Sequence, residues 1–397
     1  MADTAPRLAR NCSAVGCGNG PRCRVWKWAA SVGKEHAVVT VNWATMYSPA
    51  ARCVARGSAG SSAPIMEATL GGDADKERGR CKWPPQHAMD YCHFHPFVIV
   101  PGSCRTITFR RTEEEWVDVL EVPGGRRVAY EVGGAPHGVP VFFQHGTGDS
   151  RLCKHPNDAL TASLGVRLIT ADRPGVGGSS PQKNRSILDW VSDVEAIADA
   201  IGLETFVVAG HSGGGPHALA IAKELGDRVT RVGLAAPIAP FDEAGTKGMV
   251  KDSDLKTIFR LAHVKWLANA AAKIEAKHYE KDIHSFVAHC AKEWPADRSI
   301  FTDPVLEPMF EAEFAAAFAQ GGIGALDDMW AFLDWGFRPE DVTQHVELFV
   351  GDADDILDPE MSNRLCKRLP DCSTHWWPGA GHYGVYGRWE EFLKALI

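Results

Sequence analysis

The sequence predicts an α/β fold, a mostly parallel central sheet flanked by helices, with a helical cap insertion and a poorly ordered N-terminal extension. Three observations carry that prediction. From about residue 117 short apolar runs of strand length alternate with amphipathic stretches. The strand pattern vanishes between about 241 and 339, and before about 106 no periodicity is sustained. The boundaries that follow are an extension over 1–105, a first core segment over 106–240, a cap over 241–339 and a second core segment over 340–397.

Val117 to Val122 and Arg126 to Val132 read as alternating strands joined at the hairpin-like turn Pro123-Gly124-Gly125. Val139–Gln144, Val166–Ala171, Phe206–Ala209, Val229–Ala235 and Val346–Val350 are continuous apolar runs, the pattern of strands covered on both faces. Between them, Ile187 to Ile201 sets Ile187, Trp190, Val191, Val194 and Ile197 on one helical face, and Gly202 follows as a stop. Helix formers dominate Leu255 to His278 and Pro308 to Gln320. An insertion between core strands lies over the carboxyl ends of the sheet, where open α/β folds bind ligands, so it reads as a lid.

A chain of 397 residues with 45% hydrophobic content can bury a substantial core. Its net charge of -8 argues against a nucleic-acid surface and for a small-molecule partner. No apolar run is long enough to span a bilayer, so the expectation is a soluble, cytoplasmic protein; the sequence does not give the oligomeric state. Residues 1–66 are basic and poor in acids, with only Asp3 and Glu35, which leaves an organellar transit segment as the alternative to a disordered tail. Seven of the 11 cysteines precede residue 106, and the odd total predicts reduced thiols.

The chemistry centres on Gly210-His211-Ser212-Gly213-Gly214, a G-x-S-x-G motif that follows an apolar strand and precedes the helix-like Pro216 to Leu225. Such a turn puts a serine at a strand tip in a strained conformation, with glycines on either side to admit it. A P-loop lysine is missing and G-x-G-x-x-G is not matched, which sets aside a phosphate loop. Serine needs a base, and the base a carboxylate to orient it, both later in the chain. His382, in Pro378-Gly379-Ala380-Gly381-His382-Tyr383 after the strand-like Ser373–Trp377, is the candidate base. Asp354 is favoured as the acid because it lies three residues past Gly351, which ends a buried-type strand; Asp352, Asp355 and Asp358 are assigned to turn capping or solvent. Two backbone N–H groups must face the developing oxyanion: Gly213 offers one, and Thr147, after His145-Gly146, the other.

With these motifs in place the chain resembles the α/β-hydrolase superfamily over roughly 115–397, in its esterase-like branch with a helical cap. The resemblance rests on Gln144-His145-Gly146-Thr147, Asp172-Arg173-Pro174-Gly175-Val176-Gly177-Gly178-Ser179 and Gly210 to Pro216. It implies a serine hydrolase cleaving an ester or related acyl bond of a small apolar substrate through an acyl-enzyme, with no metal and no organic cofactor; the alternatives are a non-catalytic or slow ligand receptor on the same fold, or C-C bond hydrolysis or perhydrolysis by the same triad. His145, Gly146, Trp330 and Trp335 are the candidate substrate-binding residues, beside Phe332 and Phe337. Gly148-Asp149 departs from the proline found at this place in many relatives. A separate set, Cys81, Cys92 and His95, has the spacing of part of a zinc knuckle, but the cysteine expected near Gly71 is missing, and these are assigned as incidental thiols.

Overall fold

The computed structural model describes residues 115–397 apart from 262, 263 and 280, with side chains from Asp118 onward save a few within 254–280, and before them only the backbone of short strands. The chain divides into two compact units, Met1–Asp118 and Val119–Ile397. In the first, five strands between Leu8 and Thr69 pair antiparallel in sequence order. The remainder of the expected extension, including Cys81, Cys92 and His95, lies outside the described residues.

The main sheet includes β1 (Glu115–Val122), β2 (Arg126–Gly134), β3 (Val139–Gln144), β4 (Val166–Ala171), β5 (Phe206–His211), β6 (Val229–Ala235), β7 (Val346–Gly351) and β8 (Cys372–Trp377). Their spatial order is β8-β7-β6-β5-β3-β4-β2-β1. From β4 across to β8 every pairing is parallel, while β2 runs antiparallel to β4. The apolar runs are explained by position: β5 is buried at every residue, and β3, β4, β6 and β7 are buried over their carboxyl halves. Phe142, Phe143 and Phe206 are fully buried there, each contributing about 1.5–3 kcal/mol of apolar transfer. The terminal strand β8 is mostly half-buried, as an outer strand permits.

Helices connect the parallel strands: α1 (Asp158–Ser163), α2 (Asp189–Ala200) and α3 (Gly214–Leu225). Asn157 caps α1, its side chain accepting the Leu160 N–H at 3.0 Å. The face predicted for α2 is the one buried, with Trp190, Val194 and Ile197 at 0% exposure. Between β6 and β7 the described elements are all helical: α4 (Ser253–Leu261), α5 (Lys265–Tyr279), α6 (Ile283–Glu293), α7 (Arg298–Phe301), α8 (Glu307–Phe318) and α9 (Ile323–Ala331), with short 3-10 turns. Leu255 to His278 is thus two helices; it contains no Gly or Pro to mark the division. This helical stretch belongs to the same compact unit as the sheet. After β7 come α10 (Pro359–Arg368), then β8, α11 (Gly384–Gly387) and α12 (Trp389–Leu396).

One expectation is corrected. Cys366 and Cys372 form a disulfide that joins the end of α10 to the start of β8, with Cα atoms 5.6 Å apart, whereas reduced thiols were expected throughout. The odd total hid a pair that the helix-to-strand return brings together. Cys153 and Cys290 are free and buried. Among the described residues no helix is long and apolar enough to cross a membrane.

Candidate active site

Ser212, Thr147, Asp354 and His382 all lie just beyond the carboxyl ends of strands, after β5, β3, β7 and β8 respectively. Ser212 has φ +53°, one of three described non-glycine residues with positive φ, and α3 begins two residues later. Backbone bonds hold that strained turn: the Ser212 N–H donates to the Ala235 carbonyl at 2.9 Å, and the Ser212 carbonyl accepts from Gly215 at 3.0 Å. The flanking glycines are required by crowding. A Cβ on Gly210 would lie 2.4 Å from the Gly214 carbonyl oxygen, and one on Gly214 would lie 2.2 Å from that of Gln144.

Asp354 and His382 are brought together. The His382 Nδ1 is 2.7 Å from Asp354 Oδ2, with the side chains 2% and 4% exposed. The other carboxylate oxygen, Oδ1, accepts the N–H groups of Ile356 and Leu357, both at 2.8 Å. Nδ1 is therefore the donor to an acid that has no freedom to rotate, which leaves Nε2 as the basic nitrogen. Burial works against a charged imidazole here, but Asp354, with Asp297 and Asp149, outweighs it and raises the His382 pKa above its ordinary value. The competing aspartates have structural duties, but only Asp358 is a cap; the other two tie distant segments together. Asp358 caps α10, Asp352 accepts the Gly379 N–H at 2.6 Å, and Asp355 accepts the Ala296 N–H at 3.1 Å.

Among the described residues the Ser212 hydroxyl makes no hydrogen bond, and the bond that ties the elbow to the histidine loop runs through its neighbour. His211 Nε2 donates to the His382 carbonyl at 3.0 Å, and the two rings lie 5.0 Å apart. Sequence reasoning passed over His211 because it occupies the unspecified position of the motif. Its burial was the available signal, since the residue just before the turn ends a strand buried at every position.

Gly213 and Thr147 abut: a Cβ on Gly213 would fall 2.0 Å from Thr147 Oγ1 and 2.9 Å from Phe332 Cζ. Gly146, in the same loop, donates its N–H to Asp149 at 3.0 Å. His145 is 2% exposed and engaged at both nitrogens, with Nδ1 2.8 Å from the Gly146 carbonyl and Nε2 accepting the Arg173 N–H at 3.2 Å. Burial, reinforced by Arg173, holds its pKa well below 6.5. It is a neutral brace between two loops and offers no free nitrogen to a ligand.

Arg173 is the second residue whose part was missed. Its guanidinium donates to the carbonyls of His145 at 2.6 Å and Gly146 at 2.7 Å, and to Asp328 of α9 at 2.9 Å. Asp328 also takes Arg185 at 2.6 Å and faces His217 of α3 at 3.4 Å, all with side chains at most 1% exposed. The loop carrying Thr147 is thus pinned through Arg173 to the helical stretch. The aromatic candidates separate. Phe332, at the end of α9, reaches the elbow, whereas Trp330 lines a cleft of about 220 Å³ with Asn184, Ser186 and Asp334. Residues two apart on a helix point to different sides, and sequence alone did not give the phase. Trp335 is 3% exposed and packs on Phe337 at 5.4 Å.

The sheet order and the serine turn together are those of an α/β-hydrolase-fold protein. The model of the Alpha/beta hydrolase family matches residues 141–395, more than half of the chain, and the protein belongs to that family. A proline iminopeptidase of Xylella fastidiosa is 32% identical over 119 residues, covering 29% of this chain and 38% of that protein. A non-heme chloroperoxidase of Streptomyces lividans is also 32% identical, over 118 residues, covering 29% and 43%. The chain thus spans less than half the length of these curated relatives. An enol-lactonase structure from Burkholderia xenovorans superposes with a TM-score of 0.54 at 18% identity, covering 70% of this chain and 97% of that one, a likeness of fold.

Proposed function

We propose that the protein is a serine hydrolase that cleaves an ester or related acyl bond of a small apolar substrate through an acyl-enzyme. The observation that carries this reading is the buried His382–Asp354 pair at 2.7 Å, in a loop hydrogen-bonded by His211 to the positive-φ Ser212 turn. In this reading Ser212 Oγ attacks the substrate carbonyl carbon while His382 Nε2 takes its proton. Asp354 holds the ring and offsets the imidazolium charge. Free hydrogen bonds between nucleophile and base are commonly long and tighten when substrate docks. The N–H groups of Gly213 and Thr147 receive the oxyanion. Collapse of the tetrahedral adduct expels the alcohol, protonated by the imidazolium; water then attacks the acyl-serine by the same relay. Residues 241–339 act as the cap, and Phe332 is its contact with the elbow.

The test is labelling with a fluorophosphonate probe, together with turnover of p-nitrophenyl esters of graded chain length. Wild type should label and hydrolyse, and Ser212→Ala should do neither. Because one relative is named a proline iminopeptidase, prolyl p-nitroanilide belongs in the panel as the amide arm. A folded wild type that neither labels nor turns over any of these refutes the enzyme.

A further inference from the structure

Sequence reasoning placed one carboxylate beside His382; the structure holds a second. We propose that Asp297, supplied by the turn just before α7, is a positioning residue for His382, holding the backbone of the histidine loop and placing a second negative charge near the imidazole. The proposal rests on His382 being the general base.

Asp297 is 0% exposed, and its Oδ1 accepts the Tyr383 N–H at 3.0 Å. The His382 N–H also stabilises its charge. Its carboxylate lies against the bare backbone of Gly381, where a Cβ would come within 2.4–2.5 Å of all three carboxyl atoms. Three consecutive loop residues, 381 to 383, therefore face one side chain from the helical stretch. Its other oxygen, Oδ2, is buried with no hydrogen-bond partner, so the group is not simply satisfied by packing.

The turn that carries Asp297 is itself fixed to both loops of the site. Ala296 donates to Asp355, next to Asp354, and the Trp294 ring stacks on Tyr383 with centroids 5.7 Å apart. The charged and titratable groups facing the pair are Asp354, Asp149, His211, Tyr383 and, through the Asp354 carbonyl at 2.8 Å, Lys251. Burial pushes Asp297 up to about 7, and the negative charge of Asp297 is among the causes that raise His382. The two ionisations are therefore linked, and each charge favours the other.

The direction follows. An ionised Asp297 stabilises the imidazolium, so removing its charge lets His382 become a neutral base at lower pH. Asp297→Asn keeps an oxygen for the Tyr383 N–H and removes only the charge. In the full-length protein, the acid limb of kcat/KM for p-nitrophenyl acetate should move down by about one pH unit or more in this variant, with KM nearly unchanged. The His382 ring, followed by NMR with ¹³C-labelled histidine and assigned with His382→Gln, should show the same shift. Asp297→Glu should restore the wild-type midpoint, and its own titration guards against a misfolded amide variant. A midpoint that stays put in both readouts, whatever happens to the rate, overturns the proposal. If the wild type proves inactive toward every ester, the enzymatic reading fails, and the ring titration still decides whether Asp297 acts on His382.

Discussion

Replacing Asp328 by Asn tests whether the charge cluster behind the Thr147 loop holds the site together. Asp328 accepts from Arg173 at 2.9 Å, forms an ion pair with Arg185 at 2.6 Å and faces His217 at 3.4 Å, with every side chain involved at most 1% exposed. Burial alone would raise the Asp328 pKa, but Arg173, Arg185 and His217 outweigh it and hold the carboxyl well below its ordinary range. An amide of the same shape leaves two guanidinium groups buried without their counter-ion. Breaking a buried pair by removing one partner costs about 3–5 kcal/mol, far more than the pair is worth against apolar replacements. The assay is equilibrium urea unfolding followed by tryptophan fluorescence, where the midpoint should fall with little change in slope. A group whose folded pKa is depressed stabilises above its unfolded value and loses that contribution only as pH falls through the folded one, so the deficit should be constant from about pH 5 to 8. Arg173 also anchors the His145 and Gly146 carbonyls, and fluorophosphonate labelling should slow in parallel. A loss below about 1 kcal/mol with unchanged labelling would refute the reasoning, because it would mean that water or rearrangement satisfies the arginines.

Two further outcomes follow from the geometry. Gly213→Ala would drive its Cβ to 2.0 Å from Thr147 Oγ1, displacing the loop that carries the proposed second oxyanion donor, and kcat on a p-nitrophenyl ester should fall by about 10²–10³, the cost of one lost donor; an unchanged kcat would remove Thr147 from the proposed oxyanion pair. As the proposed base His382 must be neutral to accept a proton, and its pKa is raised, chiefly by Asp354 against the opposing burial, so activity should climb with pH through a midpoint above 6.5. A pH profile of kcat/KM with its midpoint at or below that value would contradict the buried ion-pair environment.

What could be read from the sequence was what local chain order dictates. The serine turn announces itself because strand, small-residue turn and helix are contiguous, and Asp354 and His382 could be located by their distance past the ends of β7 and β8. His211, Arg173, Asp297 and Asp328 could not, since their partners lie 171, 155, 86 and 155 residues away respectively and nothing at those positions marks them. Asp172 and Arg173 lie in a glycine-rich loop that carries the family resemblance, but the part of the guanidinium is visible only once its carbonyl and carboxylate partners are in place. The helical content of residues 241–339 was legible from propensity, but the phase of α9, which turns Phe332 to the elbow and Trp330 to a separate cleft, depends on tertiary packing. The Cys366–Cys372 bridge was hidden for the same reason: pairing is a property of the return from α10 to β8, not of the cysteine count.

The groups that sequence did not reveal share a feature that bears on how the site is held. Asp328 and Asp297 both come from the helical stretch between β6 and β7, and each makes charge-based contacts with a loop at the sheet's carboxyl ends, one through Arg173 to His145 and Gly146, the other at Tyr383. Apolar surfaces can slide past one another at modest cost, but a buried carboxylate that moves away from its donors leaves charge uncompensated on both sides. Motion of this stretch as a rigid body would have to break both contacts at once. Among the helices that carry neither anchor, α5 leaves Trp266 and Ile274 73% and 74% exposed. The two carboxylates thus tie the later part of the helical stretch to the loops at the carboxyl ends of the strands, within one compact unit, Val119–Ile397.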